Sequence, residues 1–269
     1  MAEGFTFNGI HSSTFGLSVL SKEDPVLPPI KDYKEEIPGM DGAWDFGCDY
    51  GPRPLAYVIA FKKDSRPDIR SAIRQIAAWL NPKAGSKPLI DDEEPDKYYM
   101  ARVTGNIPLE HLMNTYREVT VNFIAYDPMA MNDWITWDQI VDSGAFVINN
   151  PGTYEMAPVI TITALDGGMP GDVNLTGGYD PAEAVVDTIT DPVITLGGKT
   201  IQYAGVIALN KSLIIDCFKK QASYDGLNAA TAISGSFPVL RPGNNILTVT
   251  DSTSTNGARV RVQYRGRWL

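Results

Sequence analysis

Catalysis needs particular residue types at particular spacings, and this 269-residue chain is sparing with the most reactive of them. His11 and His111 are its only histidines, and Cys48 and Cys217 its only cysteines. No His/Cys/Asp/Glu spacing of zinc-site type accompanies either histidine, so both are expected at surface or turn positions. The cysteines lie too far apart for a metal knuckle or a local redox pair, and two are too few for a disulfide framework. They are expected as reduced, buried thiols. Neither a nucleophile elbow nor a phosphate-cradling glycine loop ending in Lys-Ser/Thr occurs. Gly167-Gly168 and Gly177-Gly178 read as turns.

Carboxylates are plentiful but unorganised. The run Asp91-Asp92-Glu93-Glu94-Pro95-Asp96 lacks the alternating ligands and the central glycine of an EF-hand loop, which makes a solvated turn the better reading. A glycosidase pair would need two carboxyl groups across a cleft, and no spacing in the sequence singles one out. No catalytic, cofactor-binding or metal-ligating residue is therefore expected, and no enzyme. Aromatics offer another chemistry: Trp134, Trp137, Tyr179, Tyr203 and Tyr224 could stack on sugar rings, with Tyr179, Tyr203 and Tyr224 the candidate glycan platform. Filling cores or subunit contacts is the competing and favoured reading for such side chains.

Bulk properties narrow the partners. A net charge of -9 argues against gripping nucleic acid by phosphate neutralisation, though an acidic surface can line a channel that DNA passes through without sticking. Hydrophobic residues at 43% and charged residues at 20% fit a folded globular chain. The longest apolar runs, Leu55 to Phe61 among them, fall far short of the roughly 20 residues that cross a bilayer. The opening MAEGFTFNGI places an acidic residue where a signal peptide carries basic ones, so synthesis and retention in a cytoplasm is expected.

The elements that must position these residues are mostly strands. Phe5-Thr6-Phe7 before Asn8-Gly9 predicts a β-hairpin with a type I′ turn, with Phe5, Phe7 and Phe15 on its buried face. Ser21 to Gly42, rich in proline and charge, predicts an extended segment that packs weakly on itself. Leu55 to Phe61 predicts a buried strand. A helix follows: Ser65 with Asp68 resembles a capping box, Pro67 suits the first turn, Ile69, Ala72, Ile73, Ile76 and Leu80 recur at helical spacing, and Asn81-Pro82 stops it. Tyr98 to Val103 and Glu118 to Tyr126 alternate as strands, the latter with Val119, Val121 and Phe123 on one face.

From Tyr154 onward, short β-runs separated by glycine-rich turns predict an antiparallel sandwich. In the last run Val260, Val262 and Tyr264 alternate with Arg259, Arg261, Gln263 and Arg265, so the arginines read as a wet face. The expected division is a domain over 1–132, a linker over 133–150 and a second domain over 151–269.

FTFNGIHSSTFGL at the N-terminus and PGMDGAWDF at Pro38 to Phe46 resemble signature blocks of siphophage distal tail proteins. The likeness continues through AAWLNP, VTVNFIAYDP, SLIIDC, FPVLRPGNN and VRVQYRGRWL, while Leu165 to Tyr203 carries no matching block. The resemblance implies a mainly β chain: an N-terminal β-sandwich or split-barrel domain with one covering helix, and a C-terminal galectin-like or carbohydrate-module-like antiparallel β-sandwich. It also implies a hexameric ring at the virion tail tip, with the tail tube protein and the tail-associated hub protein as partners. A receptor-binding protein or host glycan would be held through the outer domain, and DNA would pass through the ring. Each ring subunit must meet its neighbours through two different patches. Lys22 to Asp41 is the candidate arm, with Pro25, Pro28, Pro29, Tyr33 and Trp44 the candidate interface residues. A carbohydrate-binding module that contacts the host cell wall is the alternative function.

Overall fold

The computed structural model describes residues 4–61, 66–107, 118–141, 144–165, 188–251 and 258–269, with backbone alone for Phe61 and 66–70. It divides into two compact units, Met1–Asn132 with Trp268–Leu269, and Asp133–Arg267. His111, Ser65, Tyr179 and the Gly167-Gly168 and Gly177-Gly178 pairs lie outside the described residues, and Asp68 and Ile69 are described by backbone only.

The first unit is built on one antiparallel sheet. Its strands are β1 (Phe5–Phe7), β2 (Ile10–His11), β3 (Leu17–Glu23), β6 (Arg53–Phe61), β7 (Lys87–Asp91), β8 (Tyr99–Thr104) and β9 (Glu118–Ala125), in the order β2-β1-β7-β8-β9-β6-β3. Between β3 and β6 lies a separate two-stranded hairpin of β4 (Ile30–Glu35) and β5 (Trp44–Tyr50). The short strand β10 (Ala130–Met131) closes the unit, bridging back to Tyr98.

The N-terminal turn forms as its residues require. Asn8 (φ 51°) and Gly9 (φ 76°) both take left-handed backbone, and Phe7 pairs with Ile10 across the turn. Phe5 and Phe7 are buried, but Phe15 is not on a strand: it closes a 3-10 turn over Ser12–Phe15 and packs on Trp79 at 4.7 Å between ring centroids.

Helix α1 (Arg66–Trp79) lays Ala72, Ile76 and Trp79 on the sheet and turns Arg74 and Gln75 outward. Trp79 stacks on Phe5 at 5.7 Å and donates its indole N–H to the Phe7 carbonyl at 2.8 Å, joining helix to first strand. Val119, Val121 and Phe123 of β9 face this core together with Leu55, Tyr57 and Ile59 of β6. No helix among the described residues is long and apolar enough to cross a membrane.

The second unit is a two-sheet antiparallel sandwich. Its strands are β11 (Ile135–Val141), β12 (Ala145–Asn150), β13 (Val159–Ala164), β14 (Ile189–Thr190), β15 (Val193–Leu196), β16 (Lys199–Tyr203), β17 (Val206–Ile207), β18 (Ser212–Asp216), β19 (Gln221–Tyr224), β20 (Leu227–Asn228), β21 (Ile233–Gly235), β22 (Gly243–Thr250) and β23 (Ala258–Tyr264). One sheet runs β11-β23-β13-β18-β19-β20 and the other β12-β22-β15-β16-β21, with β14 and β17 as a short ribbon. Ile160, Ile162, Ile194, Leu196, Leu213 and Leu247 fill the space between them.

Two expectations need correction here. The stretch 133–150 is not a linker, because Ile135–Val141 pairs along its length with β23 and Ala145–Asn150 with β22, so each sheet takes an edge strand from it. The segment Ser21 to Gly42 is not simply extended: it finishes β3, crosses a proline-rich stem and becomes the first strand of the β4–β5 hairpin, whose second strand lies beyond it.

Candidate assembly surface

Among the described residues the hairpin of β4 and β5 belongs to no larger sheet, and all of its strand positions are exposed. Its mouth is closed by the Gly51 amide donating to the Pro29 carbonyl at 2.6 Å, and the register pairs Ile30 with Tyr50, Lys31 with Asp49 and Asp32 with Cys48. The register then shifts, and Gly47 there has φ 89°, which glycine adopts at little steric cost. Beyond the shift Lys34 pairs with Asp45 and Glu35 with Trp44.

That bulge decides which side chains share a face. Cross-strand partners point to the same side of a ribbon, and neighbours along a strand alternate. Tyr33, Trp44 and Phe46 therefore fall on one face toward the tip, while Ile30, Cys48 and Tyr50 fall on the other face near the root. Trp44 is 55% exposed and Phe46 68%, and Ile37 and Met40 at the tip are exposed as well. On the first face Tyr33 donates to Asp49 at 3.0 Å and carries the Lys31 ammonium 5.0 Å above its ring.

A two-stranded ribbon standing alone is marginal in water, and one that shows apolar groups on both faces buries none of them by itself. Such an element gains its hydrophobic contribution only when another surface covers it.

The interface residues expected from sequence divide between this ribbon and its stem. Tyr33 and Trp44 are on the ribbon and exposed, Pro29 caps its mouth, Pro25 is half-buried in the stem, and Pro28 is buried. Lys22, expected as part of the arm, belongs to β3 and bridges Asp91 at 3.0 Å and Glu93 at 2.7 Å. The residues missed were Phe46, Cys48 and Tyr50. Their signal was present in the alternation of Trp44, Phe46, Cys48 and Tyr50 with Asp45, Gly47 and Asp49, a strand pattern directly after the glycine-rich turn. Cys48, expected buried, is exposed because it sits on this ribbon, whereas Cys217 is buried in the sandwich core.

Two open depressions accompany these elements. A groove of about 690 Å³ beside the arm's root is lined by Lys22, Asp24, Pro25, Pro54, Ala56 and Asn122 among others. On the second unit a shelf of about 600 Å³ is lined by Ile214, Asp216, Lys219, Gln221, Ser223 and Asn228 among others, and none of its lining residues is aromatic.

The candidate sugar-stacking tyrosines do not form an open platform. Tyr203 is 7% exposed and is part of the sandwich core, its ring 6.2 Å from that of Tyr224. The Tyr224 hydroxyl accepts from the Ala208 amide at 3.1 Å. Trp137 packs on Phe146 at 5.7 Å, and Trp134 is exposed beneath the Arg265 guanidinium at 4.2 Å. His11 bridges Asp92 at 3.1 Å and hydrogen-bonds Ser13 at 2.6 Å, a structural link between the first hairpin and the acidic turn. Among the described residues no group of three or more His, Cys, Asp or Glu side chains is placed to hold a metal ion.

Comparison with known proteins adds what geometry leaves open. The phage tail protein RIFT-related domain matches residues 10–125, and the siphovirus-type tail component, C-terminal domain, matches residues 184–268. No curated protein matches the chain. Among solved structures, the Dit protein of phage SPP1, described as a paradigm of the hub adsorption apparatus in phages infecting Gram-positive hosts, aligns with a TM-score of 0.73 at 17% identity over 100% of both chains. A chain of the phage P2 baseplate in its activated conformation aligns with a TM-score of 0.42 at 6% identity over 98% of both. The SPP1 alignment shows a shared fold in both units. With the tail-protein families matching in succession along its length, the chain belongs to the siphophage distal tail protein family, structural components of the phage tail.

Proposed function

We propose that this protein is the ring-forming hub of a siphophage tail tip, six copies closing through the β4–β5 arm between the tail tube protein and the tail-associated hub protein. The carrying observation is the arm itself: every strand position is exposed, and apolar side chains occupy both faces. An arm on one copy and its receiving surface on the next are different patches, which is the heterologous contact a closed ring needs. Receptor-binding proteins would attach through the second unit.

The sheet of the first unit supports a passage for DNA. Opposite its core it shows Ala56, Val58, Ala60, Thr120 and Asn122, aligned by the pairing of β6 with β9, with Glu23 and Glu118 at the margins. Around β6 and β9 these side chains are small and uncharged with carboxylates beside them, and Arg102 of β8, which the pairing places on the same face, donates to the Tyr126 hydroxyl, so phosphates would meet little counter-charge and a duplex would slide past rather than bind.

Light scattering and negative-stain imaging of the concentrated protein test the ring. Closed rings are expected for the natural sequence, and loss of rings without loss of folding for Trp44→Lys combined with Phe46→Lys. A chain that stays monomeric at high concentration, even when mixed with its tail partners, would sink the reading.

A further inference from the structure

Arg53 is the first residue of β6, reached from the arm through Gly51 and Pro52. It is 2% exposed, and its guanidinium holds three segments at once. Nη1 donates to the Asp24 carboxylate at 3.0 Å and to the Pro25 carbonyl at 2.7 Å, while Nε donates to the Pro128 carbonyl at 3.0 Å. The same group lies over the Tyr99 ring, 5.4 Å from its centroid. Asp24 and Pro25 are where the chain leaves β3 for the arm, and Arg53 is where it returns. One side chain therefore ties the outgoing stem to the incoming one, and both to the sheet.

Stability is a weak reason for this arrangement. A buried arginine with one carboxylate partner is often matched or bettered by well-packed apolar side chains of similar volume. Here Nη2 is also buried without an acceptor among the described residues. What a guanidinium supplies that an apolar group or a lysine does not is direction, because its planar fork fixes several acceptors at set angles.

Direction matters for an arm. A seven-residue strand such as Trp44–Tyr50 is about 23 Å long at about 3.3 Å per residue. A tilt of about 10° at its root thus moves the tip by about 4 Å, beyond the reach of hydrogen-bond or packing contact. A heterologous contact closes into a ring only at the right rotation between copies, and otherwise runs on as an open chain.

We infer that Arg53 is a positioning residue for assembly, clamping the two stems of the arm so that its direction matches the rotation a closed ring requires. This rests on the ring reading above. Arg53→Lys keeps the charge but loses the fork, and Asp24→Ala removes one tether at a position whose side chain is 29% exposed, so it carries the test where the first variant fails to fold. Asp24→Asn keeps the accepting oxygen as a conservative control. Native mass measurement reads ring closure, and the anisotropy of a fluorophore on exposed Cys48 in dilute, unassembled protein reads arm mobility.

Arg53→Lys and Asp24→Ala are expected to lower the anisotropy and to replace the single ring mass by a ladder of sizes, with Asp24→Asn retaining both wild-type values. Wild-type anisotropy and ring mass in both disruptive variants overturn the inference while leaving the ring standing. A wild-type chain that never forms rings removes the ring reading, and the assembly role of Arg53 with it.

Discussion

Arg259 meets Asp138 edge-on, its Nε and Nη2 donating to the two carboxylate oxygens at 2.9 and 3.0 Å. Asp138 lies directly opposite Arg261 in the pairing of β11 with β23, and Arg261 donates to the same carboxylate at 2.8 Å. One acidic side chain thus bridges two arginines on the outer face of the sheet and offsets the charge of one of them. The arginine stripe is wet, as alternation predicts, and keeps a net positive charge. The strand that supplies Asp138 lies in the stretch expected to be a linker, so the pair also pins that edge strand in place.

This pair makes stability depend on pH in one direction. The hydrogen bond from Arg259 holds the Asp138 carboxyl below its ordinary 3.8, opposed by burial and helped further by the hydrogen bond from Arg261. A folded-state value below the unfolded one means that the contribution is present above the unfolded value and is lost as pH falls through the folded one. Melting temperatures of the natural protein and Asp138→Asn should differ most above about pH 5 and converge as pH falls through the lowered folded-state value of the Asp138 carboxyl. The pair is exposed enough that the gap will be small. A gap that stays constant across this window contradicts the assignment.

Gly9→Val should destabilise the protein by about 1 kcal/mol or more, because a β-branched residue at φ 76° is strained even though nothing lies within 4 Å of the added Cβ. Calorimetry decides it, and unchanged melting would show that the turn tolerates other backbone.

Trp79→Ala should cost about 3–5 kcal/mol, since the indole is 8% exposed, contacts three phenylalanine rings and satisfies the Phe7 carbonyl. Trp79→Phe keeps much of the packing and should lose about 1 kcal/mol with the hydrogen bond. Denaturant titration separates the two, and equal losses would mean that packing matters little there.

Thiol labelling should find one fast and one slow cysteine. Cys48 is exposed on the arm, while burial pushes the Cys217 thiol up to about 12, well away from its reactive thiolate form. In assembled protein Cys48 should become slow too. Equal rates before and after assembly would show that this part of the arm is uncovered in the assembly.

Much of the strand content was readable because it rests on local alternation. Val119, Val121 and Phe123 face the core as their period of two requires, and Val260, Val262 and Tyr264 do the same in the sandwich. The Asn8-Gly9 turn and the helix over Arg66–Trp79 were likewise set by short-range geometry and spacing. Distant pairing was not readable. Ile135–Val141 becomes a strand only because β23, more than a hundred residues later in the chain, supplies its hydrogen-bond partners, and no local pattern announces such a partner. Tyr203 shares the buried side of Ile201 by the same alternation, but that its ring meets Tyr224 depends on distant parts of the chain coming together.

The arm marks the boundary most clearly. That Pro25, Pro28 and Pro29 break the sheet and that a glycine-rich turn follows was legible in the amino-acid order, because these are properties of single residues and their neighbours. The return of the chain as a ribbon, the register shift near Gly47 that gives each face its own apolar group, and the grip of Arg53 on the stem came with the fold. Those features depend on which residues meet across the fold, and only folding brings them together.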